Sequence, residues 1–234
     1  MAILAIETSS DMLGVAVVDE VSVLASIELL ADRAHAAELP VAVQRALLAA
    51  GQTLETIDGL AIDIGPGSFT GLRIGLAFVK AIAFRTGKPV VAVPSLDVLA
   101  AAVPCADAAV CPIVDAKQRK LYAAVYRSQG ERLAKQSDYH LLSVDELFPL
   151  LGSDPVIFLG NGIPLYRQRL ADTLGARARF LSADYWLPRV ATLGRLALER
   201  LRAGRTDHPG DLAPMYLHLL TCTVRKAPAA PFGA

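Results

Sequence analysis

The chain has 234 residues, 53% hydrophobic and 20% charged, which is enough length and apolar content for a folded core and excludes a disordered chain. Lys+Arg and Asp+Glu both number 23, so the formal net charge is zero. That excludes a stand-alone nucleic-acid binder whose affinity comes from a basic excess.

The opening run "AILAIETSS" reads as a buried strand ending in polar residues. "LGVAVVDE" and "VSVLASIELL" follow closely enough to complete an antiparallel meander. The spacing of Leu39, Val43, Ala46, Leu47 and Ala50 predicts a helix over Arg33–Ala50, with Pro40 near its start and Gly51 as its stop. "GLAIDIG" is a short buried strand, and a helix is predicted over Phe69–Thr86 with Gly87 as its stop. "PVVAVPS" is a strand, and Leu96–Val103 is helical.

The second half begins a similar order. "AAVCPIVDA" is a strand ending in Asp115, "KLYAAVYR" is a second and "ERLAKQSDYHLL" a third. "DPVIFLGNG" is a buried strand ending in a glycine turn, followed by a helix over Pro164–Leu174. A late helix runs from Pro188, in the first helical turn, to Ala203 and its stop Gly204. The repeat lies in element order: strand-strand-strand-helix-strand-helix, twice. It predicts a duplicated α/β architecture with a ligand cleft between two lobes, residues 1–104 and a degenerate 105–220 whose late helix is free to return to lobe one, and a frayed Ala/Pro-rich tail, 221–234.

The stretch "DIGPGSFTGLRIG" carries the chemistry. Strand, glycine turn and helix N-terminus is the layout of an anion site, because unpaired N–H groups and the helix dipole favour negative charge. Gly65 and Gly67 permit close approach of a ligand, Ser68 is placed to cap the helix, and Thr70 adds a hydroxyl. No Lys-Ser or Lys-Thr closes a P-loop, and no dinucleotide fingerprint is present. The competing reading is a tight strand-to-helix turn that binds nothing. On the helix, Leu72, Leu76, Val79 and Ala83 form one stripe, and Gly71, Gly75, Phe78 and Ile82 a second. A helix apolar on two faces is buried on both. The second face fits either the chain's own first helix or another subunit.

Cys105, Cys111 and Cys222 follow no metal or redox spacing, which points to a reducing compartment. No basic segment precedes the first apolar run, and no apolar run approaches the roughly 20 residues that span a bilayer. The expectation is a cytoplasmic protein without a membrane partner.

"ILAIETSS", "GPGSFTGLRIG", "IVDAKQRKLYAAVY" and "LGNG", in this order, together resemble the TsaB family, also called YeaZ. The resemblance covers nearly the whole chain. It implies the actin-like, sugar-kinase-like duplicated ribonuclease-H fold with two lobes. It also implies a non-catalytic partner of TsaD in making threonylcarbamoyladenosine in tRNA, next to the anticodon. The partners so implied are TsaD, as a heterodimer through the N-terminal lobe, and the ATPase TsaE. A homodimer is also implied, and tRNA would be reached only through the complex. The chain itself would need no cofactor, with ATP or ADP and Mg²⁺ at the TsaD interface as the candidate ligand.

No catalytic and no metal-binding residue is expected. The candidate nucleotide or phosphate loop comprises Glu7, Thr8, Ser9, Ser10, Gly65, Gly67, Ser68 and Asp115. The candidate partner interface comprises Leu39, Val43, Leu47, Gly71, Gly75, Phe78 and Ile82. The opening strand also resembles that of TsaD, whose relatives bind metal through two histidines four apart. Here His35 is followed by Leu39 at that spacing, so His35 reads as a partly exposed residue at a helix start. An ATP-dependent phosphotransferase or ATPase of the sugar-kinase superfamily is the main alternative, but Asp115 is followed by Ala116 and Lys117 rather than glycine and a hydroxyl. A metallopeptidase is the remote one, without an HExxH motif or a nucleophile set. Asp115 also reads as the cap of the turn before Lys117, with Arg119 and Lys120 solvating that turn. Trp186 reads as packing beside Pro188, and Tyr216 lies in a family-like "PMYLH".

Overall fold

The computed structural model describes residues 1–31, 34–104, 107–130 and 132–217, with Arg132 described by its backbone alone. The predicted Arg33 helix start, Cys105, Cys222, His218 and the tail 221–234 lie outside the described residues.

The meander forms as expected: β1 (Ala2–Glu7), β2 (Met12–Asp19) and β3 (Val23–Leu30) pair antiparallel. Helix α1 spans His35–Ala49, with Pro40 in its second turn and Gly51 at positive φ beyond its end. Strand β4 (Gly59–Asp63) joins β1 in parallel, with Ile6 opposite Ile62. Helix α2 (Phe69–Thr86) follows; Ser68 caps it by accepting from Gly71 N–H, and Gly87 ends it in the left-handed region. Strand β5 (Val90–Val93) completes a sheet of order β3-β2-β1-β4-β5, and α3 spans Ser95–Ala101. The "AILAI" run before Glu7 is apolar without alternation because β1 is central and buried on both faces, the setting in which a strand loses its alternation.

The second sheet repeats this order. Strands β6 (Ala109–Asp115), β7 (Leu121–Ala123), β10 (His140–Leu142), β11 (Val156–Leu159) and β12 (Ala178–Phe180) lie in the order β10-β7-β6-β11-β12. Two expectations need correction. "KLYAAVYR" is not one strand: it breaks after Ala123, and β8 (Tyr126–Gln129) leaves β7 to pair with β9 (Arg132–Lys135). "ERLAKQSDYHLL" is likewise split, because β9 belongs to that side hairpin and β10 alone is the third rung. Helix α4 (Val144–Leu147), opened by a Ser143–Glu146 capping box, takes the place of α1. Helix α5 spans Ile163–Leu174. The last helix, α6, spans Val190–Arg202 and begins two residues after Pro188, which therefore precedes the first turn. Trp186 packs against the outer core of the second sheet and donates Nε1–H to Leu181 C=O at 3.3 Å.

Four apolar clusters give five layers. Helices α1 and α2 cover one face of the first sheet, and α6 covers the other, touching β1, β2, β4 and β5. Helix α3 packs against the inner face of the second sheet, whose outer face carries α4 and α5. So α3 and α6 stand between the sheets. Asp97 on α3 joins them: it accepts from Tyr126 and Tyr139 hydroxyls at 2.7 and 2.8 Å and from Arg200 of α6 at 3.1 Å. Burial and then the Asp97 charge push both tyrosines well above the ordinary phenol range, so both keep the proton they donate to Asp97.

After α6 the chain returns along lobe one. Asp207 N–H donates to Val90 C=O at 2.8 Å, and Asp207 Oδ2 accepts from Ala92 N–H at 2.8 Å. Lys80 of α2 donates to Gly210 C=O, Leu212 packs into the first core, and Met215 N–H donates to Ile64 C=O at 2.7 Å. Residues 207–216 thus form a strap running antiparallel to α2.

Candidate functional site

The C-terminal ends of β1 and β4 lie side by side, and both end in an acid: Glu7 and Asp63. Both carboxyls are buried, at 1% and 0% exposure. Glu7 Oε1 accepts from Ser9 N–H at 2.5 Å and Ser9 Oγ–H at 2.6 Å. Asp63 Oδ1 accepts from Ser95 Oγ–H at 2.5 Å and Gly65 N–H at 2.7 Å. Burial first, then the charge of Asp63, holds Glu7 well above the ordinary carboxylate range. Burial raises Asp63 too, but hydrogen bonds from Glu7, Ser95, Gly65 and Ser9 oppose it. Burial thus favours the protonated form of both carboxyls, most strongly at Glu7, where the neighbouring Asp63 charge adds to it. Glu7 Oε2 is buried and has no hydrogen-bond partner among the described residues.

Around this pair the candidate loop closes on itself. Ser68 N–H donates to Ser9 C=O at 2.6 Å, and Ser95 N–H to Gly65 C=O at 2.8 Å. Ser10 Oγ accepts from Met12 N–H at 3.2 Å, closing the turn into β2. A Cβ on Gly67 would overlap Ser9 C=O, so this glycine serves close approach of the chain to itself. The anion-loop reading is corrected on this point. The N–H groups of Gly65, Ser68 and Gly71 already have acceptors, and two buried acids stand behind them.

The glycine face of α2 is corrected as well. A Cβ on Gly71 would overlap Thr8 C=O, and one on Gly75 would overlap Thr8 Oγ1. Both glycines admit Thr8, in the turn after β1, rather than another subunit. Leu39, Val43 and Leu47 of α1 are buried in the chain's own core, and Phe78 and Ile82 are half-buried against it. Facing solvent instead are Val41 and Leu48 on α1 and Phe69 and Phe84 on α2. His35, expected partly exposed, is buried.

In the second lobe Asp115 caps its turn, as one of its readings had it. Asp115 accepts from Lys117 N–H at 2.9 Å and Lys117 Nζ at 2.7 Å, while its own N–H donates to Asn161 Oδ1. The Asp115 hydrogen bond, and also the charge of Asp11 across the cleft, raises Lys117. Lys117, Gln118 and Arg119 all have φ in the left-handed region, a conformation that costs energy without glycine. Arg119 and Lys120 are exposed. Asp115 is thus bonded to Lys117 and Asn161 of its own lobe. Between the lobes, Glu7, Met12, Glu28, Asp184 and Arg189 line a cavity of about 110 Å³, well below the roughly 300 Å³ at which ligand pockets begin.

Asp63 and Ser95 were missed by sequence reasoning. The signal was present: two strands with the same apolar run, "LAIE" and "LAID", each ending in an acid. Among the described residues no group of three His, Cys, Asp or Glu could hold a metal ion, and no helix is long and apolar enough to cross a membrane.

The family model described as "TsaD: tRNA N6-adenosine threonylcarbamoyltransferase" matches residues 28–219. The tRNA threonylcarbamoyladenosine biosynthesis protein TsaB of Bacillus subtilis is 33% identical over 94% of this chain and 95% of its own length. The chain belongs to the TsaB family. By contrast, the tRNA N6-adenosine threonylcarbamoyltransferase of Rhizobium meliloti, 48% identical where it aligns, shares only 29% of this chain and 19% of its own length. The solved Pseudomonas aeruginosa protein described as similar to peptidase YEAZ superposes with a TM-score of 0.82 at 28% identity, covering 93% of this chain and 99% of that one. A hexokinase from Thermus thermophilus matches at a TM-score of 0.51 and 15% identity, covering 87% of this chain and 100% of that one, which shows the fold alone. This chain thus carries the actin-like, sugar-kinase-like fold, and at its first strand end Ser9 and Ser95 bond the acid pair while Glu7 Oε2 and Thr8 Oγ1 stay buried without a partner among the described residues.

Proposed function

We propose that this chain is a non-catalytic partner of TsaD in the transfer of a threonylcarbamoyl group to the adenosine next to the tRNA anticodon. One observation carries this reading. The strand ends that hold phosphate and metal in kinases of this fold are here filled by the Glu7–Asp63 pair, Ser9 and Ser95, while α1 and α2 leave large apolar side chains in solvent. The near-complete alignment with a protein named for threonylcarbamoyladenosine biosynthesis supports the same pathway. In this reading TsaD binds the α1–α2 side of lobe one, around Val41, Leu48 and Phe84. TsaE joins that complex, and a homodimer uses the same side when TsaD is absent. ATP or ADP with Mg²⁺ binds at the TsaD interface, and tRNA is reached through the complex, in the cytoplasm.

Sedimentation of the chain with its cognate TsaD tests this. A stable heterodimer is expected, weakened when Leu48 and Phe84 are both replaced by Asp. Absence of any association at micromolar concentration overturns the reading.

A further inference from the structure

At the exposed start of α2, three side chains form a stack. The Arg73 guanidinium lies over the Phe69 ring, its Cζ 3.7 Å from the centroid. Its Nε–H donates to Tyr216 Oη at 2.9 Å, and the Tyr216 and Phe69 rings stand 5.7 Å apart. Tyr216 belongs to the strap, whose Met215 N–H bond to Ile64 C=O fixes it one residue away. The arginine is thus held flat from beneath and pinned on one edge. Its two terminal nitrogens make no hydrogen bond or ion pair among the described residues.

That arrangement is a receptor. A guanidinium presents parallel N–H groups in a planar fork that matches a carboxylate or phosphate edge. Ordering the side chain beforehand reduces the entropy lost on pairing. The surroundings select between the two anions. Phe69 and Ala77, one turn on either side of Arg73, are both exposed, and Phe84 lies further along the helix. Lys80 already donates to Gly210 C=O. A nucleic-acid backbone calls for several cations together. One oriented cation in an apolar surround fits a protein surface with a single acidic side chain at its centre.

We propose that Arg73, stacked on Phe69 and pinned by Tyr216, is the charge-recognition element of the lobe-one interface and pairs bidentately with a carboxylate of the partner protein. This rests on the reading that TsaD binds lobe one.

Calorimetric titration of the full chain with its cognate TsaD tests it, using wild type, Arg73→Glu and Arg73→Lys. Unchanged melting curves of the free variants show that the exposed site has been altered without unfolding. Charge reversal is expected to weaken binding about tenfold or more, and lysine, which keeps the charge but not the fork, by about three- to fivefold. A Lys in place of one acidic interface residue of TsaD restores affinity to Arg73→Glu. Binding of Arg73→Glu within about twofold of wild type overturns the inference while leaving the partner reading intact. If heterodimer affinity is unchanged but the complex loses tRNA affinity, the anion is an RNA phosphate and the carboxylate assignment is wrong. If the wild-type proteins do not associate, the partner reading itself fails, and this inference fails with it.

Discussion

Gly75 of α2 lies against Thr8 of the turn after β1, with no room for a methyl group between them. One turn earlier, Gly71 lies equally close to the Thr8 carbonyl. The helix can therefore sit directly on the strand end, which places Ser68 against Ser9 and helps bury the acid pair.

Alanine at either glycine gains about 1 kcal/mol of helix propensity, so the overlap must exceed that to register as destabilisation. At Gly75 the obstacle is a side-chain oxygen, which can turn away at modest cost, and a net loss of about 1 kcal/mol is expected. At Gly71 it is a backbone carbonyl, and a net loss of about 2 kcal/mol or more is expected. Urea unfolding of Gly71→Ala and Gly75→Ala measures both, and the order of the two tests the geometry.

Glu7 keeps its proton in the folded state where the unfolded chain, with an ordinary carboxyl near 4.5, has released it. The folded state thus binds more protons, and stability falls as pH rises from about 4.5 through the raised folded value, by up to about 1.4 kcal/mol per pH unit. Below that window this contribution is fully present. Glu7→Gln mimics the protonated acid: its amide N–H₂ can donate to Asp63 while its oxygen keeps the Ser9 contacts. The variant is expected to lose this pH dependence and to be more stable than wild type at neutral pH. Denaturation midpoints at pH 5 and pH 8 provide the check.

Asp97 is the polar tie between the two inner helices and the second sheet. Asp97→Ala leaves two part-buried hydroxyls without their acceptor and Arg200 with only Ala92 C=O, at an expected cost of about 2–4 kcal/mol. Removing Tyr139 as well, in the Asp97→Ala/Tyr139→Phe double variant, is expected to recover part of the loss, because one orphaned hydroxyl disappears. A double-mutant cycle from thermal melts reads this coupling.

The strap is held by Asp207, which both donates to β5 and accepts from it. Asp207→Ala is expected to cost about 1 kcal/mol and to speed hydrogen exchange at Ala92, whose amide loses its acceptor. Protection of the β1 amides should not change.

Much of this was legible in the sequence. The β1–β3 meander, the Ser68 cap and the Gly87 stop were readable because local chemistry determines them. The buried stripe Leu72, Leu76, Val79 and Ala83 followed from helical periodicity and is the stripe the core takes. The side hairpin β8–β9 and the three-residue β12 were not readable, since strands this short carry no period. Helix α4 did leave a signal, the Ser143–Glu146 capping box, but only four residues follow it. The destination of the α2 glycines was illegible for another reason. Periodicity shows that a face is small and apolar, whereas what fills it depends on pairing with Thr8, more than 60 residues away in sequence. Asp63 and Ser95 escaped notice because their roles appear only when β1 and β4 are placed side by side.

The central claim is that this chain assists threonylcarbamoyl transfer without performing it. The most direct measurement is reconstituted tRNA modification with the cognate TsaD, TsaE and a source of threonylcarbamoyl-adenylate, with and without this chain. The account predicts modified tRNA only when the chain is present, and none from the chain alone. Full modification in its absence would contradict the account.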